Sequence, residues 1–361
     1  MSSNFHSKPF DDGTITKLRI FEDYIKEWLP VFLTKKSPHW YFINIFDFFA
    51  GPGLDLNKVE GSPLVILKHL SYFKNEILSK QLKVTVYFND NEKKKINTLK
   101  QNISGLNLDL KFLKIIFESK DFSEAFNEQY ERINSSKSAN LVLLDQSGIK
   151  HIKREVFHKL NITKQTDFIF FISSSYFSRF KNDPHFMNYL NIDINDINNE
   201  QYYNIHRVIF KYYKSFIPYN IKYYLAPFSI KKGSHIYGLI FGTNHTLGIE
   251  KFLKICWKLD GERGEANFNI DSENLSKTQY NLFKEFDKPR KREVFEKTII
   301  DKIAKNQLKT DFDVYEYSLL NGFQLKDAKN LLQDLIIKKK ISSEISLISN
   351  NLHKINKSNL N

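Results

Sequence analysis

Short apolar runs at Tyr41–Phe46, Lys83–Phe88, Lys111–Phe117, Asn140–Leu144 and Asp167–Ile172 alternate with stretches whose apolar residues recur at helical spacing. Each run is of strand length, and the intervening stretches are long enough for crossover helices. This alternation predicts an α/β fold built on a parallel, doubly wound sheet. An acid follows four of the runs, at Asp47, Asp90, Asp121 and Asp145. In open α/β sheets the ligand crevice lies outside the carboxyl ends of the strands, so these acids mark a candidate site.

The first run leads into Asp47-Phe48-Phe49-Ala50-Gly51-Pro52-Gly53. A glycine turn at a strand tip lets the main chain approach a ligand without interference from Cβ, and its N–H groups can receive an anion. Only Gly51 and Gly53 are present, so the three-glycine dinucleotide fingerprint is absent. The pattern suits a shorter ligand with a zwitterionic end, such as S-adenosylmethionine. Asp47, Ala50, Gly51 and Gly53 are the expected cofactor residues. Asp90 is expected to receive the ribose hydroxyls and Asp121 the adenine amino group. The bland alternatives are a simple turn for the loop and a helix cap for Asp121. Asp145, ending the run Leu141–Leu144, is the candidate catalytic residue, accepting a hydrogen bond or a proton from a methyl acceptor. A helix cap is its alternative.

Thr16–Leu33 reads as one amphipathic helix with a kink at Pro30, and Ser62-Pro63 as the N-cap and first residue of another. Phe180–Tyr224 is less regular. Tyr223–Ile230 and Ser234–Gly242 are expected to pair antiparallel as the last strands, with a helix over Leu247–Leu259. His235 and His245 flank an apolar strand and read as structural. No spacing among the ten histidines suggests a metal site.

Residues 1–270 are thus assigned to a Rossmann-like methyltransferase-type domain and 271–290 to a linker. Residues 291–350 read as a winged helix-turn-helix and 351–361 as a frayed polar tail. The helices are expected at Glu293–Lys305, Val314–Leu320 behind a capping box at Thr310–Asp313, and Leu325–Ile336, with a wing near Ile341–Ile345. The last helix carries Gln324, Lys326, Asp327, Lys329 and Asn330 on its polar side. Lys326, Lys329 and Asn330, the run Lys338-Lys339-Lys340, and Arg179 beyond the fifth strand are the candidate nucleic-acid contacts.

Charge agrees with such a partner: 54 basic against 41 acidic residues give a net +13 and a pI near 9.3. Abundant Lys, Asn, Ile, Phe and Tyr also follow from A/T-rich codons, which gives a second origin for the excess. The lone Cys256 excludes an internal disulfide and a cysteine-ligated metal cluster, and fits a reducing, cytoplasmic setting. Met1–Asp12 lacks an apolar signal core, and the longest apolar runs are too short to span a bilayer.

With these motifs in place, the chain resembles the three-Cys-motif partner protein (TcmP) family of bacteria. The resemblance is carried by Asp47–Gly53, Gly61-Ser62-Pro63-Leu64, Asp145–Gly148, Tyr237–Thr243 with His245 and Gly248, and the C-terminal helices. It implies a methyltransferase-like protein and, as a partner, a radical-SAM-like protein carrying three cysteines. The family's Asp-Pro-Phe-Gly is Asp145-Gln146-Ser147-Gly148 here, without the proline and the aromatic. An aromatic beside that acid stacks on the acceptor base in amino-methyltransferases; Tyr176 or Phe177 is a substitute ring. Three functional expectations follow. One is a methyltransferase acting on nucleic acid. Another is a catalytically degenerate fold serving as a binding module in phage defence or a mobile element. The last is a catalytic activity other than methyl transfer on the same scaffold.

Overall fold

A computed structural model describes residues 9–33, 40–146, 154–173, 205–232, 235–261, 263–268, 291–338 and 352. Its centre is a seven-stranded sheet in the order β3-β2-β1-β4-β5-β7-β6. The strands are β1 (Phe42–Asp47), β2 (Lys83–Asn89), β3 (Leu113–Glu118), β4 (Ser138–Leu144), β5 (Thr166–Ser173), β6 (Tyr224–Lys232) and β7 (His235–Thr243). The first five run parallel, and β7 is antiparallel to both β5 and β6. The order reverses at β1, whose neighbours are β2 on one side and β4 on the other. That switch point opens the crevice at the carboxyl edge.

Both faces of the sheet are covered, and the side chains alternate between them with the strand period of two. Ile43 and Ile45, Val84 and Val86, and Leu141 and Leu143 enter one apolar cluster. Phe46, Tyr87, Val142 and Leu144 enter the other. The first face is packed by α1 (Asp12–Trp28), α3 (Ser62–Tyr72), α5 (Lys93–Ser104) and α9 (Thr246–Leu259). The second is packed by α6 (Phe122–Ile133), α7 (Arg154–Asn161) and α8 (Ile205–Ser215), and it is strongly aromatic. Phe48, for instance, stacks parallel to Phe46 at 6.1 Å and meets Phe122 edge-on at 5.5 Å. Burying each such ring contributes roughly 1.5–3 kcal/mol.

The expected single helix over Thr16–Leu33 is two elements, α1 and a short α2 (Pro30–Leu33). Pro30 has no N–H to continue the ladder, so α1 stops at Trp28. It also begins earlier than its apolar spacing suggested, because Asp11 accepts a hydrogen bond from the Thr14 N–H at 2.9 Å. Ser62 is not the cap of α3. Gly61 occupies that position, and the Ser62 hydroxyl is used elsewhere. A further short helix, α4 (Lys74–Ser79), and α8 had no counterpart in the sequence reading.

The C-terminal helices α10 (Lys291–Ala304), α11 (Asp311–Leu320) and α12 (Leu325–Ile337) form close to their expected bounds. Thr310 and Asp313 make the capping box. The three helices share the first apolar cluster with the sheet domain. Phe323 stacks on Phe295 at 3.7 Å and meets the Trp257 ring of α9 at 5.3 Å, while the Trp257 indole N–H donates to the Gly322 carbonyl at 2.8 Å. Leu352, assigned above to a frayed tail, is buried in the same cluster. The linker 271–290 and the wing near Ile341–Ile345 lie outside the described residues.

Candidate functional site

Three acids meet at the switch point. Asp47 is the last residue of β1, in register with Phe88 of β2 and Leu143 of β4. Asp90 and Asp145 each lie two residues beyond those partners. Neighbouring strands are about 4.8 Å apart, so the three carboxylates line one short arc of the sheet edge.

Asp47 is fully buried. The Ser62 hydroxyl donates to its Oδ2 at 2.7 Å and the Phe49 N–H to its Oδ1 at 3.1 Å. Among the described residues, no ion pair reaches it. Burial, against those two hydrogen bonds and with the charges of Asp145 and Asp90 added, pushes its carboxyl up to about 7.

The loop after β1 is held from below. The Ala50 N–H donates to the Asn89 carbonyl at 2.9 Å and the Gly51 N–H to Asp90 Oδ2 at 3.2 Å. Gly51 and Gly53 have φ of 60° and 84°, the left-handed region that other residues rarely adopt. At Gly53 a Cβ would also lie 2.6 Å from a methyl group of both Leu64 and Leu99. The N–H groups of residues 49 to 51 are therefore spent inside the protein. Through them the loop is tied to two of the acids, to Asp47 by Phe49 and to Asp90 by Gly51. Asp90 also accepts from the Glu92 N–H at 2.9 Å, and the Lys95 ammonium stands 3.8 Å away.

Asp145 forms an ion pair with Lys17 of α1. The Lys17 ammonium also lies 4.9 Å from the centroid of the Phe171 ring on β5. Sequence reasoning missed Lys17. Its signal was the stripe of α1: Lys17 shares a face with Ile20, Phe21, Tyr24 and Trp28, an unusual place for a lysine without a partner. Gln146 is buried; Ser147, Gly148, Tyr176 and Phe177 lie outside the described residues.

Asp121 accepts a hydrogen bond from the Ser123 N–H at 2.8 Å and caps α6, the alternative weighed for it. His245 caps α9 by accepting from the Leu247 N–H at 3.1 Å. On α12, Lys326, Lys329 and Asn330 are exposed, as is Lys338 just past its end. Gln324 and Asp327, expected beside them, are buried in a capping box, with Asp327 3.0 Å from Arg292. Arg179, Lys339 and Lys340 lie outside the described residues. Among the described residues no group of three acids, histidines or cysteines is arranged to hold a metal, and no helix is long and apolar enough to cross a membrane.

No family model and no curated protein matches this chain. Among solved structures it is similar to Trm1 from Pyrococcus horikoshii in complex with S-adenosyl-L-methionine, at 11% identity and a TM-score of 0.36 over 73% of this chain and 65% of that one. The chain thus spans less than two thirds of that protein. It is also similar to HI0767 from Haemophilus influenzae, described as a methylase, at 13% identity and a TM-score of 0.28 over 62% and 87% of the two chains. A third is yhhF from Escherichia coli, described as a methyltransferase, at 11% identity and a TM-score of 0.27 over 62% and 85%. The strand order and the antiparallel β7 define the fold as the Rossmann-like sheet of the methyltransferase type.

Proposed function

We propose that the carboxyl edge of the sheet binds S-adenosylmethionine and that the protein methylates a nucleic acid. The observation that carries this reading is the arc of Asp47, Asp90 and Asp145, whose innermost member is buried with no cation against it among the described residues. Lys95 and Lys17 stand against Asp90 and Asp145, but among the described residues none reaches Asp47, and a sulfonium nucleotide with an ammonium end supplies positive charge there. When bound, that cofactor supplies an electrophilic methyl group. Asp47 acts from beneath the loop through its field, since none of its surface is exposed. Asp90 accepts the ribose hydroxyls, and Asp145 takes a hydrogen bond from the acceptor and orients its lone pair.

Exposed Lys326, Lys329, Asn330 and Lys338 hold the nucleic acid in this reading. We assign the protein to the TcmP family, with the three-cysteine radical-SAM-like protein as its partner. Calorimetric titration with S-adenosylmethionine is the test: saturable heat is expected, and its absence overturns the cofactor assignment. A DNA mobility shift that weakens with salt, and weakens again in Lys326→Ala/Lys329→Ala, is expected for the nucleic-acid contact.

A second reading is favoured by one observation. The acid expected to face the acceptor is engaged by Lys17, and its motif lacks the proline and aromatic of the resembled family. On that reading the fold is a binding module in defence or a mobile element, and Asp145→Ala retains full biological activity.

A further inference from the structure

Lys17 is a charge built into the site from outside the sheet. Its helix, α1, packs against the sheet through Ile20, Phe21, Tyr24, Ile25 and Trp28. At the end of that apolar stripe the chain places an ammonium, with only 20% of the side chain exposed, against Asp145 and over the Phe171 ring. Desolvating an ammonium is unfavourable unless a partner compensates it, and the carboxylate of Asp145 is that partner. A second cation near the arc, Lys95, is closer to Glu92, at 2.7 Å, than to Asp90, at 3.8 Å. Lys17 therefore sets the balance of charge on the β4 side of the arc, and Asp47 keeps its negative surroundings from Asp90 and Asp145.

We propose that Lys17 is a specificity-determining residue: its ammonium sets how strongly the site prefers the sulfonium form of the cofactor over the thioether left after methyl transfer. This rests on the cofactor reading above. The two forms carry the same ammonium, carboxylate and nucleoside and differ by the methyl group and the positive charge on sulfur. A negative site favours the charged form, and a cation at Asp145 moderates that preference so that the neutral product is not displaced too readily by more sulfonium, nor the sulfonium held too tightly. Removing the ammonium leaves Asp145 uncompensated. The sulfonium form gains an attraction that the thioether does not.

The experiment is calorimetric titration of the full chain with S-adenosylmethionine and, separately, S-adenosylhomocysteine. It compares the unaltered protein with Lys17→Met, Lys17→Arg and Asp145→Asn. The ratio of the two affinities is expected to shift toward the sulfonium form by about tenfold in Lys17→Met, the scale of one unit charge acting in a partly screened site. Lys17→Arg is expected to keep the original ratio, because it keeps the charge. Asp145→Asn is expected to move the ratio in the opposite direction, and it decides the matter should Lys17→Met fail to fold. An unchanged ratio in Lys17→Met or in Asp145→Asn, with both ligands still bound, overturns the role of Lys17 and leaves the cofactor reading standing. Failure of the unaltered protein to bind either ligand overturns the cofactor reading and this inference together.

Discussion

Asp47 shows what the candidate site costs the fold. Its carboxyl is ordinary at 3.8 in an exposed chain and stands at about 7 here, so the folded state holds a proton that the unfolded state has lost. Stability therefore falls as the pH rises from about 4 through about 7, and the penalty reaches up to about 4 kcal/mol in alkaline solution. Asp47→Asn, whose amide oxygen accepts from the Phe49 N–H while its NH2 donates to a reoriented Ser62 hydroxyl, is expected to melt several degrees higher than the unaltered protein at pH 8. The advantage is expected to shrink at pH 5, as read by thermal denaturation at the two pH values. Asp167 works in the same direction. Burial raises it to about 6, although the Thr243 hydroxyl donates to it at 2.5 Å and the Tyr24 hydroxyl at 2.7 Å. Gly53→Ala is expected to cost about 2–4 kcal/mol in denaturant unfolding, since it combines a left-handed backbone with overlap against Leu64 and Leu99. Asp47, Gly51 and Gly53 were legible in the sequence because a strand followed by a glycine turn is a local pattern. Lys17 was not, because its partner is 128 residues away.

At the scale of elements, type was easier to read than extent. The strands and long helices were recognised from period two and period 3.6, which depend on which face each element buries. Boundaries depend on caps and single breakers. Asp11 starts α1 before its apolar stripe begins, and Pro30 ends it outright. Ser62-Pro63 reads as a cap followed by the first helical residue, yet the hydroxyl donates to Asp47, at the end of β1. At Thr310 the local reading and the structure agree, because both halves of a capping box lie within one turn. Thr310→Ala is expected to cost about 1 kcal/mol in chemical denaturation; no change would show that the packing of α11 alone fixes its start. On α12, Asp327 was read as polar surface by its chemistry but is turned inward by Arg292 on α10.

For the whole molecule, the two faces of the sheet have different dependents. The aromatic face is closed by helices of the sheet domain itself. The other face extends through α9 into the C-terminal helices, with Trp257 at the seam. Cys256, adjacent to that seam, is fully buried and burial pushes its thiol up. Thiol labelling is therefore expected to be negligible in the native protein and to rise in step with global unfolding in denaturant; rapid labelling of native protein would contradict the packing of α9. A chain ending at residue 290 is expected to be less stable and to aggregate, because it leaves Trp257 uncovered, as measured by solubility and light scattering.

The sequence by itself determined the alternation of strands and helices, the glycine turn after β1 and the acids at the strand tips, because each is written in neighbouring residues and in the period of burial. Only the tertiary structure decided that those acids share one arc, that Asp47 is buried there with no counter-ion among the described residues, that the N–H groups of residues 49 to 51 are turned inward, and that Lys17 answers Asp145. Those outcomes depend on strand order and on contacts between residues far apart in the chain, and Coulomb and desolvation energies act across space rather than along sequence.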